Sequence, residues 1–551
     1  MIDALPTTPN GKVDTRALPE PEVEATAGRA PVGPVEEALA GALAAVLEHE
    51  VGAEDDFFAL GGDSILAIAL VGRARAAGLV VTPRQVFEQR SVAALAAVAT
   101  PADDTPTPAT APVADRDAIA ARAPGGPDRV VDVVPPSPLA EGLIFLSRLG
   151  SDVYTIQLLV DLAGPVDPAA RQALHAAVQA VVDRHDALRT VYPDGPDGRP
   201  VGVVLGHLAV PFTTVDGDPE AVADAERTRA FDVATGPLLR AVLVRRGEDR
   251  HRLVLTFHHV AIDGWSMPIV LRELLATWEG GEAGELPAPP RYRDHLAALA
   301  TRDPDADLAV WREALVGITA PTRAVEAPDP DRTVLPHRTP VPLDADVAVR
   351  VAATARRLGI TVATVLQAAW GVLVGRAAGS PDAVFGQTVS GRGSGDAQDT
   401  VGLFINTVPV RVTERPAETL AGLLTRVAAE QAALLDVTHV GLAAIQRAVG
   451  VDDLVDTLLV VENYPVDHAA VRARGPAGVT VEHVTGRDAT HYPLVLVAAL
   501  GDGGAPSLHL AHRPDAVDDH AAAAWAGRLA RLLTAVADAP DTPLARLDLL
   551  A

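Results

Sequence analysis

Residues 239–266 read LRAVLVRRGEDRHRLVLTFHHVAIDGWS, and this stretch decides the fold of the larger part of the chain. Apolar residues alternate on both sides of a polar turn at Gly247–Asp249, with Leu253, Leu255 and Phe257 on one face of the second arm, which is the pattern of two strands joined as a hairpin. From Ser266 the period changes. Ser266 can cap a helix, Pro268 suits its first turn, and Val270, Leu274 and Trp278 recur every four residues. Strand alternation beside helical stripes makes this part an α+β fold. Further helices are expected over Pro168–His185 and Asp344–Gly379, and strands over Ala383–Val389 and Thr407–Val412.

His258 and His259 are the chain's sole adjacent histidine pair, and they fall where the second strand runs into a turn. If the alternation continues, His259 shares the face of Leu255 and Phe257 while His258 points the other way, so the two rings cannot do the same job. Asp263 and Gly264 follow in the turn, an acid able to orient a neighbour or pair with an arginine, and a residue that permits tight backbone. Adjacent histidines on opposite faces chelate poorly and no third ligand stands at a recognised spacing, so a metal site is not expected.

Working outward, residues 100–128 are rich in proline, small residues and acids and carry no sustained period, which predicts an extended linker. Upstream, Val35, Leu39, Leu43 and Leu47 lie on one helix face, a second helix begins at Ser64 and ends near Gly78, and a third spans Ser91–Ala99. That is a small all-helical module. In its segment DDFFALGGDSILAIAL, Ser64 follows Gly61, Gly62 and Asp63 at a helix start, where a hydroxyl is accessible to a modifying enzyme.

Composition narrows the function. The 46 basic residues face 72 acidic ones, a net charge of −26, which repels phosphate backbones and anionic lipid surfaces. Neither nucleic acid nor membrane is an expected partner. The chain has no cysteine, so thiolate catalysis, disulfides and Cys-ligated metals are excluded, and a cytoplasmic location is expected.

The paired phenylalanines, LGGDSI and the short helices make residues 33–99 resemble the peptidyl carrier domain of nonribosomal peptide synthetases. HHVAIDG, from His258 to Gly264, fills the HHxxxDG signature of condensation domains and related chloramphenicol-acetyltransferase-like acyltransferases. In the order of such domains follow PPSPLAEGLIF from Pro135, RHDALRTVY from Arg184, RYRDHL from Arg291, VSGRG from Val389, VGLFINTVPVRV from Val401 and ENYP from Glu462. LPTTPNGKVDTRALPEPE is similar to the C-terminal edge of an adenylation domain, with Lys12 at its lysine position, and no catalytic role is expected for it in this chain. The resemblance divides the chain into an adenylation remnant and linker at 1–30, a carrier domain at 31–100, a linker at 101–128 and a condensation domain at 129–551. The last is expected to form two acetyltransferase-like lobes in a V, about 129–305 and about 306–551, with a tunnel between them.

The same resemblance implies 4′-phosphopantetheine on Ser64 and a condensation reaction in which an acceptor amine attacks a donor thioester. It makes His259 the active-site histidine, with His258 and Asp263 supporting it and Gly264 keeping the turn close. Arg392 is the expected partner of Asp263, Asn406 is expected near the tunnel floor, and Arg189 is expected to brace the site from the first lobe. Implied partners are an upstream adenylation domain, a downstream acceptor carrier and a phosphopantetheinyl transferase, on a chain expected to be a monomer and a section of a larger synthetase. Two alternatives remain at this point: an epimerisation domain, which shares the motif, and an inactive docking scaffold. The opening segment favours a condensation domain of the type that accepts a D-configured donor.

Overall fold

The computed structural model describes residues 29–47, 49–62, 64–102, 113–149, 154–280, 286–328, 334–392, 395–462, 478–501 and 505–549. Lys12, Asp63 and residues 463–465 of the ENYP segment lie outside the described residues.

The N-terminal module contains the helices Pro34–Leu47, Ser64–Ala76, Pro83–Gln89 and Val92–Val98. Leu39 and Leu43 of the four-residue stripe are buried, with Val35 and Leu47 packed on the same core. The helix Pro83–Gln89 was not expected from periodicity, being too short to display one. It is set by a capping box, in which the Thr82 hydroxyl accepts from the Gln85 N–H at 3.1 Å and the Gln85 side chain accepts from the Thr82 N–H at 2.8 Å. Phe57 and Phe58 fill the core edge to face, 5.0 Å between ring centres. The glycine pair ahead of the serine helix then has a steric cause: a Cβ at Gly62 would lie 2.5 Å from the Phe57 ring.

The extended linker expected over 101–128 is corrected at both ends. Thr100–Pro101 pairs with Leu79–Val80 inside the module, and Arg116–Arg122 is a helix. Ile119 and Ala123 of that second half pack with Val133, Val203 and Leu205, and Arg116 hydrogen-bonds the buried Asp132. A seven-residue helix burying so few side chains carries too little pattern to be read in advance.

In the first lobe of the large domain, five strands lie in the order Thr480–Arg487, Thr155–Ala163, Arg250–His258, Leu239–Arg245 and Phe212–Asp216. The predicted hairpin forms its centre, closed by Arg246 N–H donating to the Arg250 carbonyl at 2.8 Å. The helices Pro168–Arg184 and Ser266–Trp278 share one core with this sheet. The lobe boundary is not a single cut in the sequence. Strand Thr480–Arg487 crosses back to pair with Thr155–Ala163, and Val401 and Leu403 join the first lobe's core.

The second lobe is a six-stranded mixed sheet, in the order His337–Pro340, Pro506–His512, Leu494–Leu500, Thr457–Glu462, Asp382–Val389 and Asn406–Thr413. The single helix expected over Asp344–Gly379 is two, Ala345–Leu358 and Val362–Ala378, bent by 106°. Gly359 ends the first in the left-handed region at φ +63°, and the Thr361 hydroxyl starts the second by accepting from the Thr364 N–H at 3.1 Å. Among the described residues no single helix is long and apolar enough to cross a membrane.

Candidate active site

The central strand of the first lobe ends at His258, and His259–Ala261 make a 3₁₀ turn in place of continued alternation. Val260, Ala261 and Ile262 are fully buried and anchor that turn, while the His259 N–H donates to the Tyr154 carbonyl at 2.9 Å. The two imidazoles consequently have different surroundings. His258 is buried: its Nδ1 accepts from the Val260 N–H at 3.1 Å, which leaves Nε2 to carry the hydrogen and donate to Ser147 Oγ at 2.7 Å. Burial, with His259 and Arg240 nearby, pushes its pKa down to about 3, so the ring is neutral. His259 is half-buried, and its Nδ1 has no hydrogen-bond partner among the described residues.

Asp263 does not bond either histidine. Its Oδ1 accepts from Ser266 N–H at 3.0 Å, Ser266 Oγ at 2.7 Å and Arg392 Nη2 at 2.7 Å, and its Oδ2 accepts from Phe404 N–H at 3.0 Å. Ser266 is therefore not the helix cap expected from the sequence. Trp265 holds the cap position, and the serine hydroxyl belongs to this network, also accepting from Gly402 N–H at 3.1 Å. Arg392 continues it to the carbonyls of Ala397, at 2.5 Å, and Thr400, at 2.7 Å, and its guanidinium stacks 4.2 Å from the Phe404 ring centre. The result is a buried polar staple between the motif turn of the first lobe and the segment 397–404. Gly264 lies in that turn outside the left-handed region, its carbonyl accepting from Met267 N–H at 3.3 Å.

Asn406 stands at the start of its strand and donates to the carbonyls of Thr438 and Val440, each at 2.8 Å. Arg189 bonds Asp186 and the Leu205 carbonyl, contacts that stay within the first lobe and do not reach the histidines. Sequence reasoning missed Ser147, Tyr154 and Ser266, whose positions are set by partners far away in the chain; only the nearness of Ser266 to the motif offered a signal.

A cavity of about 630 Å³ opens between the helical module and the large domain. Phe58, Gly61 and Gly62, just ahead of the serine helix, belong to its lining. Its lining also includes Ser390, Gly391, Arg392, Phe404 and Asn406. The cavity thus reaches Arg392 and Phe404, which grip Asp263, while neither histidine of the motif nor Asp263 itself is part of its lining. His295 lines it as well, its ring tilted against that of Phe404 with centres 4.5 Å apart, and burial lowers its pKa to about 4 and keeps it neutral.

Fold and site together define a helical carrier joined to a two-lobed domain of the condensation type. The condensation-domain family model matches residues 130–551, and that of the phosphopantetheine attachment site matches residues 37–99. The chain belongs to the condensation-domain family, as a carrier–condensation didomain of the nonribosomal peptide synthetase kind, and its carrier domain is of the class that holds 4′-phosphopantetheine covalently.

The vanchrobactin synthetase VabF of Vibrio anguillarum is 32% identical over 391 residues, 68% of this chain and 14% of the relative. The chondramide synthase cmdD of Chondromyces crocatus is 32% identical over 410 residues, 71% of this chain and 10% of the relative. Malpibaldin synthetase of Mortierella alpina is 29% identical over 587 residues, 98% of this chain and 10% of the relative. The chain thus spans only 10 to 14% of the length of these relatives. Among solved structures, the first condensation domain of the calcium-dependent antibiotic synthetase superposes with a TM-score of 0.61 at 20% identity, covering 76% of this chain and all of that one. The X-domain in its complex with OxyB from teicoplanin biosynthesis superposes at 0.65 and 25% identity, covering 78% of this chain and 98% of that one.

Proposed function

We propose that this protein forms amide bonds: an amine on an acceptor carrier attacks a donor thioester presented from Ser64, and the free carrier thiol leaves. The observation that carries this reading is the cavity that begins beside the serine helix and extends to Arg392 and Phe404, the residues that hold the HHxxxDG turn. The cavity's lining by both the carrier and the large domain fits a long arm reaching from one to the other. Phosphopantetheine, when attached, supplies the thiol that the cysteine-free chain lacks.

His259 meets the amine and takes its proton as the new bond forms. An α-amino group titrates near about 7.7 to 8.0, so a usable neutral fraction exists at pH 7 and positioning supplies much of the acceleration. His258, neutral and tied to Ser147, fixes the turn from one side. Asp263 and Arg392 fix it from the other, Gly264 lets the backbone pass, Asn406 shapes the cavity wall, and Arg189 braces the first lobe. The carrier at 31–100 and condensation domain at 129–551 would serve an upstream adenylation domain and a downstream acceptor carrier.

The test is a two-carrier assay with both carriers loaded. His259→Ala should lower the rate of amide formation about 10²- to 10⁴-fold with folding intact; a variant that condenses at the parent rate refutes the role. Recovery of a stereochemically inverted donor without any peptide bond would replace condensation with epimerisation.

A further inference from the structure

Several polar side chains in the cavity wall are already committed to the fold. Arg392 is bound to Asp263, Ser266 and two carbonyls, Asn406 donates to two more, and His439 is tied through Nε2 to Asp307 at 2.8 Å. His295, on the helix Tyr292–Leu299, differs from them. Its half-buried side chain has no hydrogen bond or ion pair with any described residue, and neither ring nitrogen is sealed off, so both face space that a visiting molecule can enter. The ring is nonetheless fixed in direction. It lies tilted against Phe404, centres 4.5 Å apart, and against Tyr292 at 5.8 Å, whose hydroxyl ties the helix to the Leu403 carbonyl at 2.5 Å. Burial, with Arg392 nearby, keeps it neutral, so whichever nitrogen carries the hydrogen the ring offers one N–H donor and one lone pair. An imidazole with free nitrogens is ordinary on a surface; one clamped by two aromatic rings in a cavity wall is pre-organised for a ligand.

We propose that the ring nitrogens of His295 form a subsite that hydrogen-bonds an uncharged secondary amide of the donor chain lying in the cavity. A secondary amide brings an N–H for the lone pair or a C=O for the imidazole N–H, so it is matched in either orientation, whereas an alkyl chain matches neither. An anion would use only the N–H and gain no charge from a neutral ring, and the neighbouring Arg392 is already paired with Asp263. Phe404 links the subsite to the motif turn: its ring packs on His295 and its N–H donates to Asp263 Oδ2 at 3.0 Å, so a chain held at His295 is registered against the segment that grips that turn. This rests on the proposed function, in which the cavity is the donor's passage. The amide has two sources, the phosphopantetheine arm itself or the backbone of an N-acylated donor, and the experiment separates them.

Because the chain has no cysteine, the arm's thiol is the sole thiol of the modified protein, and its alkylation by a bulky maleimide reports its shelter in the cavity. Parent, His295→Phe and His295→Gln, all modified at the carrier, are compared for alkylation rate and for condensation of alanyl and N-acetylalanyl donors with a soluble alanyl thioester as acceptor. Phenylalanine keeps an aromatic ring against Phe404 without the nitrogens, and glutamine keeps a donor and an acceptor. If the arm's amide is bound, His295→Phe is alkylated about 3- to 10-fold faster and loses a similar factor with both donors, while His295→Gln stays near the parent. If the donor's amide is bound, alkylation is unchanged and the loss in His295→Phe is confined to N-acetylalanyl. The subsite is overturned by parent behaviour of His295→Phe throughout, by an equal loss with both donors at unchanged alkylation, or by equal acceleration of alkylation in both variants, which marks lost packing. Should the parent condense neither donor, the proposed function fails, and alkylation alone judges the subsite: faster labelling confined to His295→Phe supports it and any other pattern rejects it. His295→Leu takes the place of the phenylalanine variant if that one melts early.

Discussion

Asp263 accepts a hydrogen bond from Arg392 at 2.7 Å in a place where neither side chain reaches solvent, with exposures of 0% and 3%. The two residues sit 129 positions apart and belong to segments that enter the site from different directions. Removing one partner of such a pair strands the other charge. Asp263→Ala should therefore cost about 3 to 5 kcal/mol in urea unfolding, and the double variant Asp263→Ala, Arg392→Met should recover part of it. A single variant as stable as the parent would show that the staple does not hold the fold.

Much of the architecture was readable because it is local. The hairpin around Gly247, the stripe Val270–Leu274–Trp278 and the serine helix each declare themselves within one period of their own sequence. What stayed hidden depends on distance. Strand Thr480–Arg487 has a mixed burial pattern and finds its partner, Thr155–Ala163, more than three hundred residues earlier in the chain. The break at Gly359 was masked because apolar periodicity resumes on both sides of it. The HHxxxDG residues were legible as a string, yet Asp263 turns out to grip Ser266, Arg392 and Phe404 and to bond neither histidine, a relation no spacing rule contains.

The glycine before the serine motif can be tested by crowding. Gly62→Ala places a methyl 2.5 Å from the Phe57 ring at the centre of the carrier core, and overpacking of this kind costs about 1 to 3 kcal/mol. Calorimetry should show the carrier's transition lowered while that of the condensation domain is unmoved, with slower modification at Ser64. Equal transitions would mean the ring yields freely.

Acid should destabilise the large domain through its buried histidines. Burial lowers the pKa of His258 to about 3, and of His295 and His491 to about 4. Each ring is neutral in the fold but protonates in the unfolded chain below about 6.5, so the unfolded state binds more protons and stability falls as pH drops from 6.5 towards 4. Glu462, raised to about 7 by burial, acts in the opposite sense, its contribution being lost as pH rises from 4.5 to 7. His491→Gln keeps an acceptor for the Tyr154 hydroxyl and removes one titrating group. It should flatten the acid slope by about 1.4 kcal/mol per pH unit. An unchanged slope would mean that His491 does not stay neutral in the fold.

Ser147 offers the sharpest check on how the histidine pair is oriented. Val260 N–H already occupies His258 Nδ1, so the Nε2 hydrogen has the Ser147 oxygen as its acceptor, 2.7 Å away. Ser147→Ala leaves that N–H unsatisfied inside the protein, at about 1 to 3 kcal/mol. It also frees the ring to rotate, and the turn carrying His259 is joined to that ring through Val260. Lower stability is expected together with a kcat reduced about tenfold and an acceptor KM that hardly moves, because the amine's binding contacts are untouched. Ser147→Thr, which keeps the oxygen, should restore both values. A purely structural serine would lower the melting temperature without changing kcat measured well below it, and that result would remove His258 from the positioning of His259.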